Sequence, residues 1–137
     1  MTMPTLINNY QKKVTVNRLK QTYSILYQAI RLSEADNGEI SEWTMGDETY
    51  ASSEAFANKY LIPYLQVKKI CNNSKNACNV SNNYYLNGSA ASSSNNTYIF
   101  ALKNGSVIYV WARNTITEVG VWINPAKKIL VGKIYFI

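Results

Sequence analysis

The residues with most chemistry to offer are Cys71 and Cys78, which bracket the run CNNSKNAC. Two sulfurs alone cannot fill the tetrahedral site that zinc prefers, and a polar, Asn-rich stretch is a poor setting for a buried structural thiol. A disulfide is the better reading. Closing so short a loop stabilises by about 2.5 kcal/mol on the chain-entropy model, and it implies an oxidising compartment outside the cytoplasm. The competing reading is a pair of exposed free thiols. There is no His, which removes the commonest general base and the commonest metal ligand. No Ser-His or Cys-His pair can form and no Gly-rich phosphate loop is present. Asp47 and Glu48 are adjacent carboxylates in a polar loop and read as solvated, since a hard cation needs several oxygen ligands. The expectation is therefore no enzyme, with no catalytic residue, no metal site and no cofactor.

Charge is segregated along the chain. The net charge is +6, yet residues 1–33 carry Lys12, Lys13, Arg18, Lys20 and Arg31 with no acid. Glu34, Asp36, Glu39, Glu42, Asp47, Glu48 and Glu54 then follow in one cluster, and Glu118 is the one acid after it. A basic stem beside an acidic connector suits contact between copies or attraction of an anionic partner. Lys12, Lys13, Arg18 and Lys20 against Glu34, Asp36, Glu39 and Glu42 are the candidate complementary charges.

The elements that position these groups read as α+β in a single domain of 137 residues, with a helical stem (1–37), a connector with a short helix and the Cys loop (38–96), and an antiparallel sheet (97–137). Pro4 suits a first helical turn and Asn37-Gly38 supplies the stop. The apolar stripe of the stem changes sides. At 100° per residue, Met3, Leu6, Ile7, Tyr10 and Val14 share one face, and Val16, Leu19, Tyr23, Leu26 and Ile30 share the opposite one. A helix bent or broken between two packed halves gives that pattern, as does a stem that serves two environments. Downstream, Ser52 or Ser53 caps a short helix that stops at Pro63. Residues 72–96 read as Asn- and Ser-rich surface loop, with Tyr84 to Leu86 as a short strand. Tyr98–Lys103 and Ser106–Ala112 flank Asn104-Gly105, a hairpin signal that calls for a type I′ turn. Glu118–Asn124 and Ile129–Ile137 complete the sheet, whose apolar face the second stripe covers.

Four segments carry a resemblance to a known family. TMPTLINNYQKK resembles the stretch just after the apolar anchor of prepilin-like proteins. VNRLKQTYSILYQAIRLSEADNG resembles the amphipathic half of a pilin-like stem, FANKYLIPYLQVKKIC the segment that follows, and GVWINPAKKILVGKIYFI the closing strands. Together they are similar to a type IV pilin or type II secretion pseudopilin without its membrane half. The resemblance implies that Met3, Ile7, Tyr10 and Val14 face the filament, while Val16, Leu19, Tyr23, Leu26 and Ile30 face the protein's own sheet. It also implies a membrane-anchored precursor in the inner membrane, a missing apolar segment upstream, and copies of itself and other pilin-like subunits as partners. Trp122, Pro125 and Ile134 stand where related sequences commonly place Asp, Gly and Asp, which argues against the calcium-binding turn of major pseudopilins.

Two binding alternatives stay open. Lys68, Lys69, Lys75, Arg113, Lys127, Lys128 and Lys133, with Tyr84, Tyr85 and Trp111, offer phosphate contact and base stacking to nucleic acid, although no recognised nucleic-acid motif is present. Asn-rich loops that expose aromatics also suit adhesion to a glycan or a host surface.

Overall fold

The computed structural model describes the backbone of residues 3–74, 76–78, 80, 96–124 and 129–136, and side chains at 13, 14, 16–74, 77, 78, 80 and 96–123. The class is α+β, as expected. Helix α1 (Met3–Asn37) and helix α2 (Tyr50–Tyr60) precede a sheet of five strands, β1 (Val67–Asn72), β2 (Tyr98–Leu102), β3 (Val107–Ala112), β4 (Thr117–Asn124) and β5 (Ile129–Phe136). The strands lie in chain order and every neighbouring pair is antiparallel.

Alternation along the strands produces two apolar faces. Phe100, Leu102, Ile108, Val110, Val119, Val121 and Ile123 turn toward the helices and pack with Leu26, Ile30, Phe56, Tyr60 and Leu61. Ile99, Val107, Tyr109 and Trp122 turn the other way and pack with Cys71, Cys78 and Val80. The Cys71–Cys78 disulfide is therefore buried. That corrects the expectation of a bond in polar surface loop: Cys71 belongs to β1, a strand the sequence did not announce, and its side chain falls on the inner side of that edge strand.

Helix α1 lies on the sheet through a face that shares Leu19, Leu26 and Ile30 with the expected one but leaves out Val16. Leu26 and Ile30 are buried, and Leu19 and Tyr23 are partly so, but Val16 is 46% exposed. The face centres instead on Thr22, Leu26, Ala29 and Ser33, all fully buried. The Thr22 hydroxyl shares a hydrogen bond of 2.9 Å with Ser106. Val14 is half-buried, while the side chains of Met3, Ile7, Tyr10 and Lys12 lie outside the described residues, as do Tyr84 to Leu86 and the turn at Pro125.

Asn37-Gly38 ends α1 as expected, with Gly38 at φ +85° and its N–H donating to the Glu34 carbonyl at 2.9 Å. Trp43 in the connector stacks on Tyr60 at 4.5 Å and donates its indole N–H to the Gly38 carbonyl. Two local expectations are corrected. Thr49, not a serine, caps α2, accepting the Ser52 N–H at 3.2 Å. Ser53 works elsewhere: its hydroxyl donates to the Asn96 carbonyl and accepts the Ala112 N–H, tying α2 to β3. The β2–β3 loop is not type I′, since of Asn104 and Gly105 only Gly105 has positive φ. Gly105 N–H donates to the Leu102 carbonyl and Leu102 N–H to Ser106, a three-residue loop closed by a left-handed glycine. The Asn104 side chain explains the choice, because it accepts the Ser106 N–H and donates to Thr22 on the helix.

Gly120 is the tightest point of the sheet. It pairs with Tyr109, and a Cβ there would sit 1.9 Å from the Tyr109 ring. Gly120→Ala is expected to destabilise by about 3 kcal/mol or more, at the upper end of overpacking costs. Tyr109→Ala, costly by itself because the ring is buried, should cost less in the Gly120→Ala chain than alone. Urea denaturation of the two single variants and the double variant measures the coupling, and additive losses would show that the two positions do not meet.

Candidate functional site

The surface that could hold a partner is built from the outer side of α1 and the connector after it. Burial of Thr22, Leu26, Ala29 and Ser33 fixes which side of the helix is outward. Lys13, Arg18 and Lys20 are exposed on it, together with Tyr27 at 64% exposure and Leu32 at 57%. Val16, Tyr27 and Leu32 are the large apolar side chains of α1 that stand exposed among the described residues.

The four candidate acids divide by what they do locally. Glu34 is half-buried, and its carboxylate accepts the Ile40 N–H at 3.4 Å. Asp36 accepts the Tyr64 hydroxyl at 2.9 Å, and Tyr64 in turn accepts from the Asn37 amide at 3.1 Å. Asp36 thus fastens the end of α1 to the short 3-10 turn Ile62–Tyr64, and Glu34 fastens it to the turn Ile40–Glu42 that follows. Glu39 and Glu42 are exposed, with the Glu42 carboxylate lying over Gly38. None of these acids pairs with Lys13, Arg18 or Lys20: among the described residues the ion pair is Arg113 with Glu48, 3.4 Å apart. Lys20 and Glu34 are fourteen positions apart on the helix, roughly 20 Å at its rise per residue. The sequence pattern showed the segregation of charge, but not that Glu34 and Asp36 are already engaged.

Of the basic residues considered for nucleic acid, the three whose side chains are described stand in two places. Lys68 and Lys69 stand on β1, where Lys69 is level with Ala101 and donates to the Ala77 carbonyl at 2.8 Å. Arg113 lies past the far end of β3, stacked on Trp111 at 4.7 Å and paired with Glu48. Lys75, Lys127, Lys128, Lys133, Tyr84 and Tyr85 fall outside the described side chains.

Asp47 and Glu48 form a local clasp. Gly46 passes so close to Ala112 that a Cβ would lie 2.5 Å from its carbonyl oxygen, and the Glu48 N–H donates to that same carbonyl at 3.0 Å. Glu48 adopts φ +71° to do so. The Asp47 carboxylate accepts from the hydroxyl and the N–H of Thr49. Among the described residues no group of three or more His, Cys, Asp or Glu is placed to hold a metal ion, and no helix there is long and apolar enough to cross a membrane.

The Thr49 hydroxyl, with help from Ser52 and the Thr49 N–H, holds the Asp47 carboxyl below the ordinary 3.8. A carboxylate whose pKa is lower folded than unfolded adds stability above its unfolded value and loses it as pH falls through the folded one. Asp47→Asn should therefore lower the urea midpoint modestly at pH 7 and flatten its decline below about pH 4, the two proteins converging at low pH. Parallel acid-side curves for the two proteins would show that Asp47 contributes nothing to acid sensitivity.

Comparison with known proteins adds a family without a function. No characterised protein and no solved structure matches the chain. Residues 5–122 match one protein family, described as a family of unknown function, and the match takes in α1, the connector, α2 and strands β1 to β3 entire. The chain belongs to this family, DUF6613.

Proposed function

We propose that this chain is the head domain of a pilin-like or pseudopilin subunit, a structural component of a type IV pilus or a type II secretion pseudopilus. In this reading α1 is the lower part of a longer stem laid on the sheet. Its inner face holds the head together and its outer face meets neighbouring subunits. The observation that carries the reading is the outer side of α1, where Tyr27, Leu32, Lys13, Arg18 and Lys20 stand exposed beside an acidic connector with which they make no ion pair. The buried disulfide supports maturation in an oxidising compartment, which fits an inner-membrane precursor that later enters a periplasmic or cell-surface filament. The work of such a protein is mechanical and its partners are other subunits.

Assembly by charge pairing makes a definite demand. Glu39→Lys with Glu42→Lys, expressed from the full native gene, should abolish filaments and leave the circular dichroism of the head unchanged. Reversing Lys13, Arg18 and Lys20 to Glu in the same gene should restore them. Filaments of normal abundance from the doubly reversed acidic variant would discard the contact scheme. The native gene supplies an independent check, because the reading requires about 20 apolar residues encoded upstream.

A further inference from the structure

On the flank of α1 that carries the exposed Leu32, opposite the tip of the β2–β3 hairpin, lies a pocket of about 260 Å³. Ile25, Gln28 and Leu32, at spacings of three and four, form its helical wall; Tyr64 and Gln66 form a second, and residues 102–104 a third. Its shape is held from outside. Asn104 is fixed by Thr22 and Ser106, and the Lys103 N–H donates to the Gln66 carbonyl at 3.0 Å. Tyr64 has its hydroxyl occupied by Asp36 and Asn37. What Tyr64 offers the pocket is therefore its ring.

The lining combines two chemistries. Ile25, Leu32, Leu102 and the Tyr64 ring are apolar, whereas the amides of Gln28 and Gln66 and the Lys103 ammonium have no hydrogen-bond partner among the described residues. An apolar concavity with a few polar residues in its lining has the make-up of a ligand site, and Gln28, Gln66 and Lys103 are exposed to what enters it. The volume corresponds to about nine waters at ~30 Å³ each, the bulk of one six-membered sugar ring. Such a ring has an apolar C–H face for the tyrosine and the aliphatic side chains. Its hydroxyls both donate and accept, as the amides do. The lining contains one cation and no acid, so a carboxylate on the sugar meets complementary charge. We propose that this pocket binds an acidic pyranose, a sugar of the uronic acid class, at the end of a glycan chain. The pocket shares Leu32 with the face assigned to neighbouring subunits but uses none of the charges assigned there, so binding to the isolated chain tests it independently of filament assembly.

Titration of the ¹⁵N-labelled whole chain with glucuronate, glucose and acetate tests it. Glucuronate should give saturable amide shifts confined to residues around 25–32, 64–66 and 102–104. It should bind about fivefold more tightly than glucose, the increment of one exposed charge pair. Acetate should give no saturable shift there. Lys103→Gln should remove the preference for glucuronate, and Gln66→Ala should weaken both sugars; both positions are exposed, so the fold is retained and circular dichroism verifies it. The proposal is overturned by the absence of saturable shifts with glucuronate, by acetate matching glucuronate, or by a preference that survives Lys103→Gln.

Discussion

Strand β3 is buried on both faces, and the rest of the molecule is arranged around that requirement. Ile108 and Val110 need a cover on one side while Val107 and Tyr109 need one on the other. An antiparallel sheet commonly leaves one face in water, so a doubly buried β3 demands two separate covers from a short chain. The helices supply one and the disulfide-closed segment supplies the other. The Cys71–Cys78 bond thus does more than shorten a loop in the unfolded chain. It fixes part of the second cover, with Val80 beside it, against Trp122 and Ile99. The indole N–H of Trp122 has no hydrogen-bond partner among the described residues. The ring is retained there as volume, filling space between Tyr109 and the disulfide.

The same requirement determines how α1 meets the sheet. On strands filled with Phe100, Val110 and Val121, α1 packs Leu26 and Ile30, and buries the smaller Thr22, Ala29 and Ser33 alongside them. Thr22 could be buried because Ser106 and Asn104 satisfy its hydroxyl. That contact ties the helix to the β2–β3 loop, takes the Asn104 side chain out of a type I′ turn, and sets one wall of the pocket. A single buried polar contact therefore links helix position, turn type and pocket shape.

Element types were largely legible from residue patterns, and contact faces much less so. Strands β2 to β5 follow from β-branched and aromatic runs separated by turn residues, and Gly38 ends α1 where Asn37-Gly38 predicted. The helix face was misread at Val16 because apolar spacing assigns the core to large side chains, whereas the buried face here also takes in small and hydroxylated ones. Strand β1 escaped notice because Lys68 and Lys69 interrupt any alternation and Pro63 suggested loop. Thr49 was overlooked as a cap since Ser52 and Ser53 fit the same rule, and only the tertiary partners Asn96 and Ala112 explain why Ser53 is used elsewhere. For the contact surface, composition revealed the basic and acidic blocks, but the local duties of Glu34 and Asp36 depend on Tyr64 and Ile40, groups brought near by the fold.

The β1 edge bears on how copies of this chain could associate. A free strand edge invites a second chain to extend the sheet, and natural proteins suppress this with lysines, bulges and covers. Strand β1 has all three: Lys68 and Lys69 are exposed, its pairing with β2 slips between Val67 and Lys69 and again between Ile70 and Asn72, and the disulfide draws residues 76–78 against it. Lys69 also reaches back to the Ala77 carbonyl, so that its ammonium sits across the edge. The outer side of α1 has no comparable protection, with Tyr27 and Leu32 left uncovered between charges. Self-association on the β1 side is opposed by backbone geometry and charge together, whereas the described part of α1 carries no such barrier; under the proposed function, that asymmetry makes the stem the packing surface.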